Sequence, residues 1–301
     1  MTATLPNAQD LYPSRLAAPG ELLERQDPTV WPGVDDGPLG QQELQDYDGK
    51  GYLVVPQMIT PTELESFRTE LDRLRSDGSL KQDERYVVER ETGDVRSIFA
   101  VHQISQKIND LVHDPRIVNR ARQILGSDVY VHQSRVNYMP GFTGSGFYWH
   151  SDFETWHAED GMPRMRACSF SIALTDNFAF NGGLMLMPGA HRYFAPCAGE
   201  TPDENYKSSL QKQEIGVPHR EQITQLARKF GIDQFTGPAG SALIFDSNSM
   251  HGSGNNITPL PRSNIFIVFN SVENTLGEPF AAANPRPRHI ADREFTVVNP
   301  K

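Results

Sequence analysis

The part of the chain from about residue 129 onward limits the possible folds more than any other feature. It is a series of short β-branched or alternating runs, separated by Gly, Pro and Asn. The runs are VYVHQSRVNY, RACSFSIALT, GLMLMPG, GSALIFD and NIFIVFNSV. Alternation with a period of two is clearest in the first two runs, and it is typical of a strand whose side chains face two ways. Several strands at turn-punctuated intervals predict an antiparallel β-sandwich or barrel.

Two helices are predicted before these strands. The run TPTELESFRTELDRLRSDG has a capping threonine at Thr60, proline at the first helical position (Pro61) and a capping-box glutamate at Glu63. Its leucines and phenylalanine recur at helical spacing, so one face belongs to the core. A second helix is predicted over residues 104–125, ended by Gly126. Helices followed by strands indicate a mainly β fold with helices on one side of the sheets.

The chain is expected to form one domain with an irregular arm. Residues 1–40 are rich in Pro, Gly and Asp, show little periodicity, and predict an arm that wraps the domain or frays. Residues 41–301 are expected to form a single domain, and 38% hydrophobic residues are enough for a sizeable core. Within it, residues 196–235 form a long polar insertion of a kind that can act as a lid.

Composition excludes several classes of protein. A formal net charge of -10 argues against a surface that follows nucleic-acid phosphates. The two cysteines, Cys168 and Cys197, lack the number and spacing of a disulfide framework or a zinc site, and fit a reducing compartment. The N-terminus lacks the pattern of a secretory signal, and no apolar run approaches the ~20 residues of a membrane-spanning helix. We therefore expect a soluble, cytoplasmic protein without a nucleic-acid or membrane partner.

Candidate metal ligands lie in the run FYWHSDFETWH and downstream of it. His150 and Asp152 are two residues apart, so on a strand both side chains would face the same way. The third candidate is His251, directly after the strand SALIFD. Two histidines and one carboxylate on one face of a metal leave positions open, as in non-haem Fe(II) oxygenases. An HxD pair also occurs by chance, and a lone histidine is more often structural, so this spacing alone is weakly specific.

Arg262 makes the metal interpretation more specific. It follows His251 by eleven residues, at the start of the strand RSNIFIVFN. A planar guanidinium there can bind a carboxylate through two hydrogen bonds beside the metal. A dicarboxylate cosubstrate explains the three ligands and Arg262 together.

These residues resemble those of the Fe(II)- and 2-oxoglutarate-dependent dioxygenases of the phytanoyl-CoA dioxygenase-like superfamily. A more specific resemblance is to its ectoine hydroxylases. It is carried by FYWHSDFETWHAEDGMP, by HQSRVNY before this run, and by GPAGSALIFDSNSMHGSGNNITPLPRSN and FNSVEN after it. The resemblance covers roughly residues 45–285.

The resemblance implies a double-stranded β-helix (jelly-roll, cupin-like) core and a homodimer. It also implies hydroxylation of ectoine to the compatible solute 5-hydroxyectoine, with O2 and 2-oxoglutarate consumed and succinate and CO2 released. The implied catalytic residues, which hold the iron, are His150, Asp152 and His251. The implied 2-oxoglutarate-binding residues are Arg262, Asn137, Phe147 and Ser253. The implied ectoine-binding residues are Gln133, Thr155, Trp156 and Ser169.

Several of these positions also have a structural interpretation. Trp156 could simply belong to the core, but its polar neighbours favour contact of the indole with a cationic amidine ring. Gln133 can donate to and accept from a zwitterion or bond within the protein, and Ser169 and Thr155 are residue types common on any sheet face. At Met139 the chain departs from the lysine common in the family, and no role is assigned to Met139.

Other groups and other functions stay open at the level of sequence. Glu154, His157 and Asp160 are interpreted as groups that order the chain around the site, because His157 would face away from His150 on a continuous strand. One alternative function is a related dioxygenase acting on another small molecule or an acyl-CoA. Another is a non-enzymatic jelly-roll module with a vestigial site, against which the complete ligand set argues.

Overall fold

The computed structural model describes residues 9–89 and 92–301, so residues 1–8 of the predicted arm lie outside the described residues. The helices are α1 (Gln41–Lys50), α2 (Pro61–Ser76), α3 (Val101–Ile104), α4 (Gln106–Val112), α5 (Pro115–Leu125), α6 (Asp152–Asp160), α7 (Tyr206–Ser209) and α8 (Arg220–Phe230). The strands are β1 (Leu23–Glu24), β2 (Tyr52–Val55), β3 (Tyr86–Val88), β4 (Val95–Phe99), β5 (Val129–Met139), β6 (Phe147–His150), β7 (Ala167–Ala173), β8 (Leu184–Leu186), β9 (Tyr193–Phe194), β10 (Asp233–Gln234), β11 (Ala242–Asp246), β12 (His251–Ser253) and β13 (Arg262–Ser271). None of the helices in the described ranges is long and apolar enough to cross a membrane.

Most strands form two antiparallel sheets that face each other, and β1 and β9 form a separate two-stranded sheet. The larger has seven strands in the order β2-β11-β7-β13-β5-β4-β3, and the smaller has four in the order β10-β8-β12-β6. The five runs predicted as strands are confirmed as β5, β7, β8, β11 and β13. This is the jelly-roll core, and the prediction of a mainly β fold with flanking helices is confirmed.

Alternation along β11 shows how the layers are arranged. Ala242 and Ile244 belong to the cluster that contains the buried faces of α2, α4 and α5. Leu243 and Phe245 belong to a second cluster with Leu184 and Leu186 of the smaller sheet, among others. Since neighbouring residues of a strand point to opposite faces, the larger sheet packs on helices with one face and on the smaller sheet with the other.

Helix α2 begins as its sequence predicts. The Thr60 side chain accepts a hydrogen bond from the Glu63 amide, and the Glu63 carboxylate accepts one from the Thr60 amide at 2.7 Å. The leucines and the phenylalanine at helical spacing are its buried residues. The capping-box prediction is therefore confirmed.

The prediction of one helix over residues 104–125 is wrong, because the segment contains two helix breaks. Ser105 separates α3 from α4 and caps α4 by accepting from the Ile108 amide. Pro115 cannot donate an amide hydrogen, and Asp114 before it is extended and caps α5. Gly126 ends α5 in the left-handed conformation, as predicted.

The arm and the insertion pack against the sheets. Strand β1 of the arm pairs with β9, just before residues 196–235. These residues contain α7 and α8, then β10, which pairs with β8 at the edge of the smaller sheet. The arm therefore lies beside the start of the insertion, and the end of the insertion extends the smaller sheet.

Candidate active site

Two of the predicted ligands, His150 and His251, are direct partners on neighbouring strands of the smaller sheet. They pair across β6 and β12, and their ring centroids are 4.2 Å apart. His150 Nδ1 lies 2.8 Å from the Tyr148 carbonyl oxygen, and His251 Nδ1 lies 2.9 Å from that of Ser249. When each Nδ1–H donates to its carbonyl, each Nε2 keeps a free lone pair, which is the arrangement a metal-binding imidazole needs.

Asp152 lies beside the two histidines, but on a different secondary-structure element from the one predicted. The expectation that His150 and Asp152 share one strand is wrong: β6 ends at His150, and Asp152 is the first residue of α6. Asp152 Oδ1 nevertheless lies 3.6 Å from His150 Nε2 and 4.0 Å from His251 Nε2. Ligand atoms of the three residues all lie within 4.8 Å of one another.

The protonation states of this cluster suit a metal. Burial, and then the neighbouring His150, lower the pKa of His251 to about 4. Burial alone would raise the pKa of Asp152, but His251, and a hydrogen bond and charge from His150, bring it well below its usual value. At neutral pH the cluster therefore offers a neutral His251 imidazole and a carboxylate. Two imidazole nitrogens and one carboxylate oxygen are a donor set that suits Fe(II).

The three residues border a cavity between the two sheets. From the larger sheet, β5 contributes Gln133, Arg135 and Asn137, which share one face of the strand because they are two residues apart. From the smaller sheet come residues of β6, β8 and β12. The cavity therefore has the metal-binding cluster on one wall and polar side chains of β5 on another.

One face of α6 forms a further wall. Asp152, Thr155, Trp156 and Glu159 line the cavity, at positions i, i+3, i+4 and i+7 of the helix. Trp156 is only 2% exposed and also belongs to an apolar cluster that contains Phe153. The expectation that Trp156 has little apolar context is thus wrong, because the helix turns it toward core residues that are distant in sequence.

Arg262 lies at the cavity, at the first position of β13. Its Nη2 is 3.6 Å from the sulfur of Met139, its partner on β5, and its Nε has no hydrogen-bond partner among the described residues. Burial, and then the positive charge of Arg96, lower the pKa of Arg262 to about 10. Within the described ranges no carboxylate lies at ion-pair distance from Arg262, so its guanidinium is available for an anion.

The other predicted cosubstrate residues lie close to Arg262 or to the histidines. Asn137 Oδ1 accepts from the Ser97 hydroxyl at 2.9 Å. The Phe147 amide donates to Ser253 Oγ at 3.1 Å, and the Phe147 ring lies against His150 with centroids 4.9 Å apart. All three residues line the cavity, although their roles in binding remain predictions.

The predicted substrate residues fall into two groups. Gln133, Thr155 and Trp156 line the cavity. Gln133 donates to the Ile290 carbonyl at 2.7 Å and accepts from Arg135. Ser169 is 1% exposed on β7, its hydroxyl has no partner within residues 9–89 and 92–301, and it is not among the described residues that line the cavity.

Four charged cavity residues were missed in the sequence. They are Arg96, Arg135, Glu159 and Arg286. Arg96 pairs with Glu89, and Arg286 binds both oxygens of Asp160, at 2.8 and 2.5 Å. Arg135 is half-buried and has no carboxylate at ion-pair distance in the described part of the chain, but its guanidinium lies 4.7 Å from the centre of the Phe266 ring. Its spacing of two from Gln133 was the one signal that could have identified it.

The groups interpreted as ordering the surrounding chain do so. Glu154 pairs with Arg15 of the arm, and Asp160 pairs with Arg286. The ring nitrogens of His157 lie 2.8 Å from the Met162 carbonyl and 2.9 Å from Asp10. These contacts hold both terminal regions against α6.

Part of the polar insertion covers the cavity. Residues 201–216, the covering segment, contribute Ser209, Leu210, Gln213 and Ile215 to the lining. Gln213 Nε2 donates to Thr155 Oγ1 at 3.2 Å, so the segment also binds α6 directly. The insertion therefore forms a further wall of the cavity, beside α6.

Comparison with known proteins identifies the family. The family model for phytanoyl-CoA dioxygenase (PhyH) matches residues 47–264. The ectoine dioxygenase of Nocardia farcinica is 60% identical over 289 residues, which are 96% of this chain and 95% of that protein. The ectoine dioxygenase of Streptomyces coelicolor is 58% identical and covers 99% of this chain and 100% of that protein. The chain belongs to the ectoine dioxygenase family.

Solved structures of that family agree with the fold. The crystal structure of EctD from S. alaskensis with 2-oxoglutarate and 5-hydroxyectoine is 41% identical, with a TM-score of 0.89 over 97% of this chain and 98% of that one. The structure of the same protein with bound Fe is 40% identical, with a TM-score of 0.87 and the same coverage. As a member of the ectoine dioxygenases, the protein is an iron- and 2-oxoglutarate-dependent dioxygenase.

Proposed function

We propose that the protein hydroxylates ectoine to 5-hydroxyectoine, using Fe(II), O2 and 2-oxoglutarate and releasing succinate and CO2. The observation that carries the proposal is the convergence of His150, Asp152 and His251 at a cavity that also contains two guanidiniums without carboxylate partners among the described residues. The names of the ectoine dioxygenases at 58–60% identity favour ectoine over an acyl-CoA or another small molecule.

The metal would be held by His150 Nε2, His251 Nε2 and a carboxylate oxygen of Asp152. When bound, iron supplies the oxygen chemistry that couples decarboxylation of 2-oxoglutarate to hydroxylation of the substrate. The protein's part is to hold the three ligands in place. It does so through the backbone carbonyls that orient both imidazoles and through the helix that begins at Asp152.

The two unpaired guanidiniums divide the binding of anions between them. Arg262 would bind the distal carboxylate of 2-oxoglutarate, with Asn137 on the neighbouring strand β5 and with Phe147 and Ser253 on the smaller sheet across the cavity. Arg135 would bind the carboxylate of ectoine. Charge supports anion binding by both, because a guanidinium without a carboxylate partner in a cavity is stabilised when an anion binds there.

The remaining cavity residues suit the cyclic part of ectoine. The indole of Trp156 offers an aromatic face to a cationic amidine, and the Gln133 and Thr155 side chains offer hydrogen-bonding groups beside it. Ser169 would contact the substrate only after a rearrangement, because it does not line the cavity in the described structure. The covering segment would exclude water from the reacting groups.

We further propose that residues 41–301 act as one domain, that the chain forms a homodimer, and that it works in the cytoplasm. Free, buried thiols at Cys168 and Cys197 suit a reducing compartment.

The homodimer is supported by two exposed apolar side chains. Phe142 is 68% exposed and Ile257 is 77% exposed, and their segments are joined by a 2.8 Å hydrogen bond from the Phe142 amide to the Thr258 carbonyl. Such an apolar patch favours contact with a second copy, which light scattering of the purified protein would detect.

The function is tested by anaerobic reconstitution with Fe(II), followed by incubation with ectoine, 2-oxoglutarate and air. Mass spectrometry should show ectoine that has gained one oxygen atom, together with succinate in equal amount. A sample without 2-oxoglutarate is the control and should show neither product. Succinate formation without any oxidised ectoine would mean that the substrate is a different molecule.

A further inference from the structure

A buried arginine of the N-terminal arm binds two carboxylates of helix α6. Arg15 Nε donates to Glu154 Oε1 at 2.7 Å, and Nη2 donates to Glu154 Oε2 and to Glu159 Oε1, each at 3.0 Å. The three side chains are only 1–2% exposed. A planar guanidinium that binds two carboxylates in a dry environment fixes their relative positions, which a flexible lysine does less well.

The same residues bind the covering segment near its first end and lie close against its backbone at the other end. At the first end, Arg15 Nη1 donates to Thr201 Oγ1 at 3.2 Å, and Asn205 Nδ2 donates to Glu159 Oε1 at 2.8 Å. At the other end lies Gly216, where an added Cβ would be 2.5 Å from Glu154 Oε2 and 2.6 Å from Arg15 Nη2. Gly216 has a φ of 76°, so both its conformation and this close approach require glycine.

The backbone around Arg15 is joined to the start of the insertion. The Leu16 amide donates to the Cys197 carbonyl at 3.0 Å, and the Gly199 amide donates to the Leu16 carbonyl at 2.9 Å. Arg15 itself has a φ of 59°, which is uncommon for a residue with a side chain. These contacts keep Arg15 in that conformation, with its guanidinium directed at α6.

We propose that Arg15 is a positioning residue for substrate binding, acting through Glu154 and Glu159 on α6 and on the covering segment. Helix α6 carries Thr155 and Trp156 to the cavity, and the covering segment forms the wall beside them. Without Arg15, two buried carboxylates lose their cation, and α6 and the segment no longer share a fixed partner. The inference rests on the proposed function and adds the arm, which lies outside the matched family region, to the machinery of the site.

The test compares the holoenzymes of Arg15→Met and Arg15→Lys with wild type. The matched control is Arg192→Ala, which removes an exposed arginine whose pair with Asp48 spans 3.4 Å. The first readout is the apparent KM for ectoine and for 2-oxoglutarate. The second is the rate of trypsin cleavage after Lys207 and Lys212, which are exposed in the covering segment.

For Arg15→Met we expect the ectoine KM to rise about tenfold, the 2-oxoglutarate KM to stay within about twofold, and trypsin cleavage to accelerate about tenfold. Arg15→Lys should fall between Arg15→Met and wild type, and Arg192→Ala should match wild type. A wild-type cleavage rate in Arg15→Met overturns the inference, as does an equal rise in both KM values. Cleavage requires no turnover, so this result is separate from any failure of wild type to hydroxylate ectoine.

A second variant, Asn205→Ala, tests the inference if Arg15→Met does not fold. Asn205→Ala removes the hydrogen bond to Glu159, leaves the Arg15 ion pairs intact, and takes away no helix cap, because this side chain caps no helix. We expect faster cleavage after Lys207 and a raised ectoine KM, both smaller than for Arg15→Met. If Asn205→Ala is cleaved at the wild-type rate, the covering segment is held independently of these carboxylates and the inference fails.

Discussion

Replacing Arg135 by methionine is expected to weaken ectoine binding without destabilising the protein. Arg135 lines the cavity and has no carboxylate at ion-pair distance among the described residues. Burial, followed by repulsion from Arg286 and Arg96, lowers the pKa of Arg135, although the charge of Asp152 opposes this. Keeping Arg135 charged therefore costs the folded protein free energy, and a bound carboxylate can offset this cost.

The size of each effect follows from these contacts. Loss of a charge-assisted hydrogen-bonded pair with the substrate is worth roughly 1.5–3 kcal/mol, or about ten- to a hundredfold in the apparent KM for ectoine. The apo protein loses the cation–π contact with Phe266 at 4.7 Å, worth about 0.5–2 kcal/mol, and the hydrogen bond that Arg135 donates to Gln133, but also loses the desolvation cost of the charge. Because these changes in stability oppose each other, the Tm of the apo protein should stay close to that of wild type.

The assay is a titration of ectoine at saturating 2-oxoglutarate, followed by the reverse titration and thermal unfolding of the apo protein. Arg135→Lys should lie between wild type and Arg135→Met, because lysine keeps the charge but not the planar pair of donors. The 2-oxoglutarate titration should be unchanged in both variants. An unchanged ectoine KM in folded Arg135→Met would refute the reasoning, since the substrate carboxylate would then be bound elsewhere.

The other predictions concern the predicted site residues. His150→Ala, Asp152→Ala and His251→Ala should each lose bound iron and activity together, measured by metal analysis and turnover; full turnover with stoichiometric iron in any of them would exclude that residue as a ligand. Arg262→Ala should raise the apparent KM for 2-oxoglutarate about ten- to a hundredfold, and an unchanged cosubstrate titration would contradict this role. Trp156→Ala should lose ectoine hydroxylation, at a cost of about 2 kcal/mol or more in substrate binding, while decarboxylation of 2-oxoglutarate without substrate persists. If iron content and decarboxylation are lost as well, Trp156 is a core residue.

The elements that could be predicted are those specified by local sequence. The five strands have their side-chain alternation and their flanking turn residues within the run itself, and α2 has its cap and its apolar face within its own length. The single helix over residues 104–125 failed because its apolar spacing continues across Pro115. There the missing amide hydrogen and the restricted Asp114 backbone outweigh the periodicity.

The ligands could be predicted, but the geometry between them could not. His150 and Asp152 are two residues apart in the sequence whether Asp152 continues the strand of His150 or begins a helix. In the structure Asp152 begins a helix. The hydroxyl of Ser151, just before it, donates a hydrogen bond of 2.9 Å to Oδ1 of Asn248, which is 97 positions away in the sequence. Because α6 begins at Asp152, Trp156 faces the cavity on a helix one turn later, and His157 turns away toward Asp10. No local sequence pattern contains the contact between Ser151 and Asn248 that decides where the helix begins.

Ion pairs between residues distant in sequence were the least predictable part of the site. These pairs distinguish arginines that support the site from arginines that are available to bind a ligand there. Arg15 and Arg286 are paired with carboxylates of α6, 139 and 126 positions away, so their charges are compensated within the fold. Arg135 and Arg262 lie at the same cavity without such partners in the described chain, and burial lowers the pKa of each. A cation that the fold leaves uncompensated gains most from a bound anion, whereas a paired cation gains little and mainly fixes geometry. We therefore predict that these two guanidiniums bind the two carboxylate-bearing molecules, because they lack carboxylate partners among the described residues, a feature that is visible only in three dimensions.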